Sequence, residues 1–228
     1  PEAKEHKFRL YVKDPIRSDP VVVLQGLTLK YVPIRWPRLW TQGGLALELI
    51  KRPPDVLFIP AHTLPVLRPK KIKTVVTIHG LEYEYLPQYY RFPQKLYLNK
   101  STEYAVRRAD RLIAVSDWTK NQLVKRLGAD PKKITVIHEG VGQRIFNSQF
   151  SIFKPDYLRW ICHKYNLPKN YLLFVGTIQP RKNLVRLIEA LVTTGSDLEV
   201  NLVIAGKLGW MYDEILAAPK KFGVSGRV

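Results

Sequence analysis

Arg181 and Lys182 follow a strand-like run, Tyr171-Leu172-Leu173-Phe174-Val175, that ends at Gly176, and they stand where a helix opens. Two adjacent cations at such a corner suit a phosphate or diphosphate. Unpaired backbone N–H groups at a helix start point at the anion, arginine grips two oxygens at once, and lysine supplies a point charge. Gly176 leaves room for the anion to approach the backbone. Gly206 closes a second strand-like run, Val200 to Ala205, and Gly206-Lys207-Leu208-Gly209 reads as a stretch facing a nucleotide base. His79 ends a third, Thr74 to Ile78, where a neutral imidazole can hydrogen-bond a sugar hydroxyl or a developing charge. Each residue also has a plainer reading: a solvated helix start, a turn glycine, a histidine tying a loop to backbone. Ligands of α/β folds gather outside the carboxyl ends of strands, and that shared position favours chemistry for His79 and the cation pair.

Other residues leave two readings open. Glu139 either touches a ligand or is a surface carboxylate, and Ser116 either bonds within a site or caps a helix. Glu82, Tyr83, Glu84 and Tyr85 follow His79 closely, and their rings either stack on sugar faces or pack the domain. His62, His138 and His163 have no acidic or sulfur partner at metal-ligand spacing, so no metal is expected.

The elements that must position these groups follow from apolar patterning. Strand runs occur at Phe8 to Val12, Val21 to Leu24, Asp55 to Ile59, Thr74 to Ile78, Arg111 to Val115 and Lys133 to Ile137. Helical spacing covers Leu45 to Lys51, a segment from Pro93 to about Arg108 with Leu96, Tyr97, Tyr104 and Ala105 near the core, and Thr119 to Leu127, stopped by Gly128. Tyr31 to Trp40, with two prolines and two tryptophans, reads as a rigid loop. Nearly continuous apolar strands between helices predict a mostly parallel sheet covered on both faces. The grammar restarts after Phe146 with helix Tyr157 to Tyr165, strand Tyr171 to Val175, helix Asn183 to Val192 and strand Val200 to Ala205. The expected fold class is therefore α/β, with residues 1–145 as the first unit and 146–228 as the second. Residues 221–228 read as the approach to a further strand. Two strands do not make a stable doubly wound sheet, so the second unit reads as truncated.

Composition narrows the partners. The 228 residues carry 37 Lys and Arg against 19 Asp and Glu, a formal charge of +18, which favours nucleic acid, an acidic membrane surface or a phosphorylated small molecule. No base-reading module accompanies the scattered cations, so nucleic acid is not expected. No apolar run is long enough to span a bilayer. The single cysteine, Cys162, excludes an intrachain disulfide and reads as partly buried, with reducing cytoplasm as the default compartment.

Four stretches together resemble the retaining family 4 of GT-B glycosyltransferases: Thr74 to Leu81, Ile113 to Lys120, Val136 to Phe146, and Leu173 to Leu184. The resemblance implies two Rossmann-like domains, the second truncated, with an active site in the cleft between them. It implies transfer of a hexose from a nucleotide-diphosphate sugar to a glycan, lipid-linked or small-molecule hydroxyl acceptor, with retention and without a metal or other cofactor. It assigns Arg181 and Lys182 to the donor diphosphate and His79 to the transferred sugar. It also agrees with a basic enzyme lying on the anionic cytoplasmic face of a membrane. Gly80 and Gly142 depart from the family's usual aspartates, and Gly43-Gly44 is a doubtful substitute for its glycine-rich loop. A chain ending at Val228 would lack the family's paired-glutamate segment and is expected to be inactive alone. The rival reading is a noncatalytic or truncated glycan- or nucleotide-binding module.

Overall fold

Among the described residues all strand pairs are parallel, and the connections that leave the strands ending at Ile78, Ala114 and Val175 each carry a helix back across the sheet. The computed structural model describes residues 6–14, 28–36, 38–90, 92–140, 155–193 and 200–228. They divide into two compact units, Pro1–Glu139 and Gly140–Val228. The expected strand Val21 to Leu24 and the whole of the 141–154 connection lie outside the described residues.

In the N-terminal unit, β1 (Lys7–Val12) pairs with β2 (Thr28–Pro33). A four-stranded parallel sheet follows in the order β3 (Val56–Ile59), β4 (Lys73–Ile78), β5 (Arg111–Ala114) and β6 (Ile134–Val136). The helices are α1 (Ala46–Lys51), α2 (Glu82–Tyr85), α3 (Gln94–Arg108) and α4 (Asp117–Leu127). Val76 and Ile78 of β4, Leu112 and Ala114 of β5, Leu49 of α1 and Leu123 of α4 share one core. Two-sided coverage holds at β4, where Thr74, Val76, Thr77 and Ile78 are all buried. It does not hold at β3, whose Val56 and Phe58 are exposed while Leu57 and Ile59 are buried.

Local chemistry sets the ends of α4. The Ser116 hydroxyl accepts from the Thr119 amide at 3.1 Å, which satisfies an orphan N–H of the first turn. Gly128 adopts φ +61°, the left-handed conformation that closes a helix at little cost to glycine. Gly43 and Gly44 serve packing: a Cβ at Gly43 would lie 2.7 Å from Trp36 Nε1, and one at Gly44 2.7 Å from Ile34 Cγ2.

Three local expectations change. Tyr31 to Pro33 is strand rather than loop, and the Ile34 amide extends the ladder to the Val12 carbonyl at 2.8 Å. The buried stripe of α3 runs through Thr102, Ala105 and Val106, which turns Leu96 and Tyr97 to solvent. Cys162 is exposed, because the helix carrying it, α5 (Pro155–Lys164), buries none of its residues.

In the C-terminal unit, β7 (Tyr171–Val175) pairs in parallel with β8 (Asn201–Ala205). Leu184, Ile188 and Leu191 of α6 (Leu184–Thr193) pack with Leu202 and with Ile215 of α7 (Asp213–Lys221). The sequence reading did not anticipate α7, which contains Pro219. After α7 the chain comes alongside β8, where the Leu202 amide donates to the Arg227 carbonyl at 2.7 Å.

Candidate functional site

Strand β4 delivers His79 to its carboxyl end, and neighbouring elements close on it. Nε2 lies 2.8 Å from the Pro60 carbonyl oxygen, just past β3. That oxygen can only accept, so the contact is a hydrogen bond when Nε2 carries a hydrogen, and the carboxylate that faces Nδ1 likewise needs a hydrogen on that nitrogen. Nδ1 lies 2.9 Å from Glu139 Oε1, beyond β6. The Thr119 hydroxyl of α4 donates to the His79 carbonyl at 3.4 Å. Thus Glu139, left open by the sequence, bonds His79, while Ser116 caps α4. Gly80 is buried, and a Cβ there would meet the Glu82 carboxylate at 3.0 to 3.2 Å. The space beside the residue where the resemblance leads one to expect an aspartate is therefore taken by the carboxylate two residues on. Tyr83 is buried, its hydroxyl pushed up to about 12 chiefly by burial, so it belongs to the core.

His62 is the residue that sequence reasoning passed over, having weighed it only as a metal ligand. Its ring stacks on His79 with centroids 6.1 Å apart and planes 17° apart, and Nδ1 lies 3.4 Å from Thr102 Oγ1. Its position just past β3, at the same sheet edge as His79, was the available signal. Burial, and then the neighbouring His79, hold its pKa below the ordinary 6.5, against a smaller upward pull from Glu82. The unfolded chain therefore binds more protons than the fold between that lowered value and 6.5, so stability falls as pH drops through this window. His62→Gln is expected to flatten this slope. Thermal unfolding between pH 7.5 and pH 5 checks it, and an unchanged slope would remove His62 from the account.

No three His, Cys, Asp or Glu side chains among the described residues are grouped to hold a metal ion.

The second set of residues lies in the C-terminal unit. Past the strands, β7 and β8 continue to bond: Gly176 N to Ala205 O, Ile178 N to Lys207 O and Gly209 N to Ile178 O, each at 2.9 Å. Gly206 fits only as glycine, since a Cβ there would sit 1.8 Å from the Gly176 carbonyl oxygen. Arg181 and Lys182 lie in a single 3₁₀ turn, Pro180–Lys182, just before α6 rather than within it. Asn183 separates turn from helix in the left-handed conformation at φ +56°, which asparagine tolerates better than most residues. Gln179 is buried, Arg181 half-buried, and Lys182 and Lys207 exposed, so the carboxyl ends of both strands are lined with positive charge.

The sequence profile of Glycosyltransferase Family 4 matches residues 3–142, more than half of the chain. The chain belongs to glycosyltransferase family 4. This family 4 chain is 24% identical over 144 residues to the O-antigen chain mannosyltransferase B of Escherichia coli, a match covering 62% of the chain and 36% of that relative. It is 33% identical over 107 residues to the D-inositol 3-phosphate glycosyltransferase of a Nocardioides species, covering 45% of the chain and 22% of that relative. The matched segments thus span about a third or less of these relatives. Among solved structures, WaaG, a glycosyltransferase involved in lipopolysaccharide biosynthesis, superposes on 99% of the family 4 chain and 61% of its own, with TM-score 0.67 and 19% identity. Anabaena Alr3699/HepE, in complex with UDP and glucose, covers 89% of the chain and 55% of its own, with TM-score 0.61 and 15% identity. The fold is accordingly that of GT-B glycosyltransferases, α/β with parallel sheets.

Proposed function

We propose that the parent protein is a retaining, metal-independent hexosyltransferase that moves a sugar from a nucleotide-diphosphate donor to a glycan, lipid-linked or small-molecule hydroxyl. The observation that carries this reading is the positive lining at the carboxyl ends of β7 and β8, in a chain of a glycosyltransferase family. Breaking the donor's glycosidic bond leaves charge on the departing diphosphate. Arg181 binds it at two points, Lys182 neutralises it, and Gly176 and Gly206 keep the strand ends clear of side chains. His79 bonds a hydroxyl of the transferred sugar, which takes the place of Glu139 on Nδ1. The Alr3699/HepE structures with UDP and with UDP-glucose support a nucleotide-sugar donor. Calorimetric titration with UDP and GDP tests the donor half: one of them is expected to bind, and neither binding would sink the reading. The anomeric proton coupling of the product then tests retention.

The site of action that fits the charge is the cytoplasmic face of a membrane, held peripherally. No helix among the described residues is long and apolar enough to cross a membrane. Phe92 is 83% exposed and Leu96 50% exposed beside Lys95, while Tyr90 packs edge-on to Tyr83 and is half-buried. Arg91 lies outside the described residues. Each Lys or Arg near an anionic surface contributes about 1 kcal/mol, screened by salt. Co-sedimentation with anionic vesicles is expected at low salt and is lost at high salt and in Phe92→Ser. Equal recovery with neutral and anionic vesicles at low salt would rule it out.

A further inference from the structure

Two aromatic side chains meet where α2 comes against α4. Tyr85 is the last residue of α2 and Trp118 the second of α4, and their rings lie 5.2 Å apart at 46°. Both are tied to the His79 loop: Tyr85 by six residues of chain, Trp118 through its neighbour Thr119, whose hydroxyl bonds the His79 carbonyl. Tyr85 is fixed from several directions. Its hydroxyl donates to Gln122 Oε1 and accepts from Arg126 Nε at 2.9 Å, and the Arg126 guanidinium lies 4.3 Å from the ring centroid. Trp118 is 52% exposed, and its indole N–H forms no hydrogen bond among the described residues. The exposed indole of Trp118, braced by the anchored Tyr85 ring, is therefore an apolar surface open to solvent, with Asp117 and Glu84 as polar neighbours in the sequence.

That combination fits one chemical class better than the alternatives. A pyranose ring has an apolar C–H face that covers an indole and a rim of hydroxyls that need acceptors and donors beside it. A cationic ligand is not required, since Arg126 already occupies the Tyr85 ring. A rigid partner surface orders without loss of side-chain freedom, which matters for a small ligand of low affinity.

We infer that Trp118 and Tyr85 form a stacking platform for a saccharide ring of the acceptor, with Asp117 and the Trp118 N–H bonding its hydroxyls. The inference rests on the proposed glycosyl transfer and names its acceptor as a glycan rather than a lone lipid or small alcohol.

The test needs no donor. The 228-residue chain is titrated with mannotriose, maltotriose and methyl α-mannopyranoside, followed by tryptophan emission and by saturation-transfer NMR. At least one saccharide is expected to saturate with a Kd of about 1–10 mM. Trp118→Ala weakens it by about tenfold or more, and Trp118→Phe, which keeps an aromatic face, by about threefold or less. Both variants keep the melting temperature and the binding of UDP or GDP. Saccharide binding unaffected by Trp118→Ala would overturn the platform, as would no saccharide binding in a chain that binds nucleotide. Loss of vesicle binding, rather than of saccharide binding, in Trp118→Ala would overturn it in favour of a membrane contact. Saccharide binding in a chain that binds neither nucleotide would uphold the platform while the donor reading fails.

Discussion

Arg181→Ala together with Lys182→Ala is expected to slow glycosyl transfer by about 100- to 1000-fold in the full chain, a loss of about 3–4 kcal/mol of transition-state stabilisation. The charge on the leaving diphosphate grows as the sugar departs, so fixed cations act more strongly on the transition state than on the bound donor. Turnover should accordingly fall more than donor affinity. Arg181→Lys retains the charge and loses the two-point grip, and is expected to cost about tenfold. Fold stability is a fair control, because the turn Pro180–Lys182 has no fully buried residue and lies outside the core of Leu184, Ile188 and Leu191. Turnover in the double variant equal to that of the unmodified protein would remove both residues from the donor site.

Gly206→Ala is expected to destabilise the C-terminal unit by about 3 kcal/mol or more. The added methyl would lie 1.8 Å from the Gly176 carbonyl oxygen and 2.7 Å from its carbon. Both are backbone atoms, and the Gly176 N to Ala205 O bond at 2.9 Å holds them in place. No side chain can swing aside, so the ladder beyond β7 and β8 must open. Gly226→Ala is the matched control, since nothing lies within 4 Å of its added carbon, and it should change stability by about 0.5 kcal/mol or less. Urea unfolding and amide exchange at Ile178 and Gly209 measure the difference. Equal stability of the two variants would show that the close approach yields without cost.

Much of the architecture was legible because buried parallel strands are written as uninterrupted apolar runs. Thr74 to Ile78, Arg111 to Val115 and Tyr171 to Val175 fall on β4, β5 and β7 to within a residue or two. The stop at Gly128 follows from backbone freedom confined to one turn, while Ser116, which the sequence left open, turns out to cap the same helix. What stayed hidden depends on contacts far apart in the chain. The face of α3 is chosen by the sheet beneath it, so the position of Leu96 and Tyr97 could not be read from spacing alone. Pro219 masked α7, although a proline late in a helix still leaves the preceding turns intact. At the candidate site, His79, Arg181 and Lys182 stood out as polar groups at the ends of apolar runs. The bond from His79 to Glu139 joins residues with no sequence signal linking them, and the stacking of His62 on His79 was signalled only by their shared position past neighbouring strands.

The pairing of strands also dictates how this chain must fold. Every ladder among the described residues is parallel, and even the one closest in sequence joins Val56 to Lys73, while β7 meets β8 only when Tyr171 reaches Asn201. No hairpin is available among them to nucleate a sheet quickly, so each pairing waits on closure of a long crossover. Folding should therefore be slow for the chain's size, with the faces of β3 and β7 on which Val56 and Phe58, and Leu173 and Val175, are exposed as the surfaces most prone to capture by other chains. Low concentration and reduced temperature during synthesis favour recovery of the native protein for the same reason.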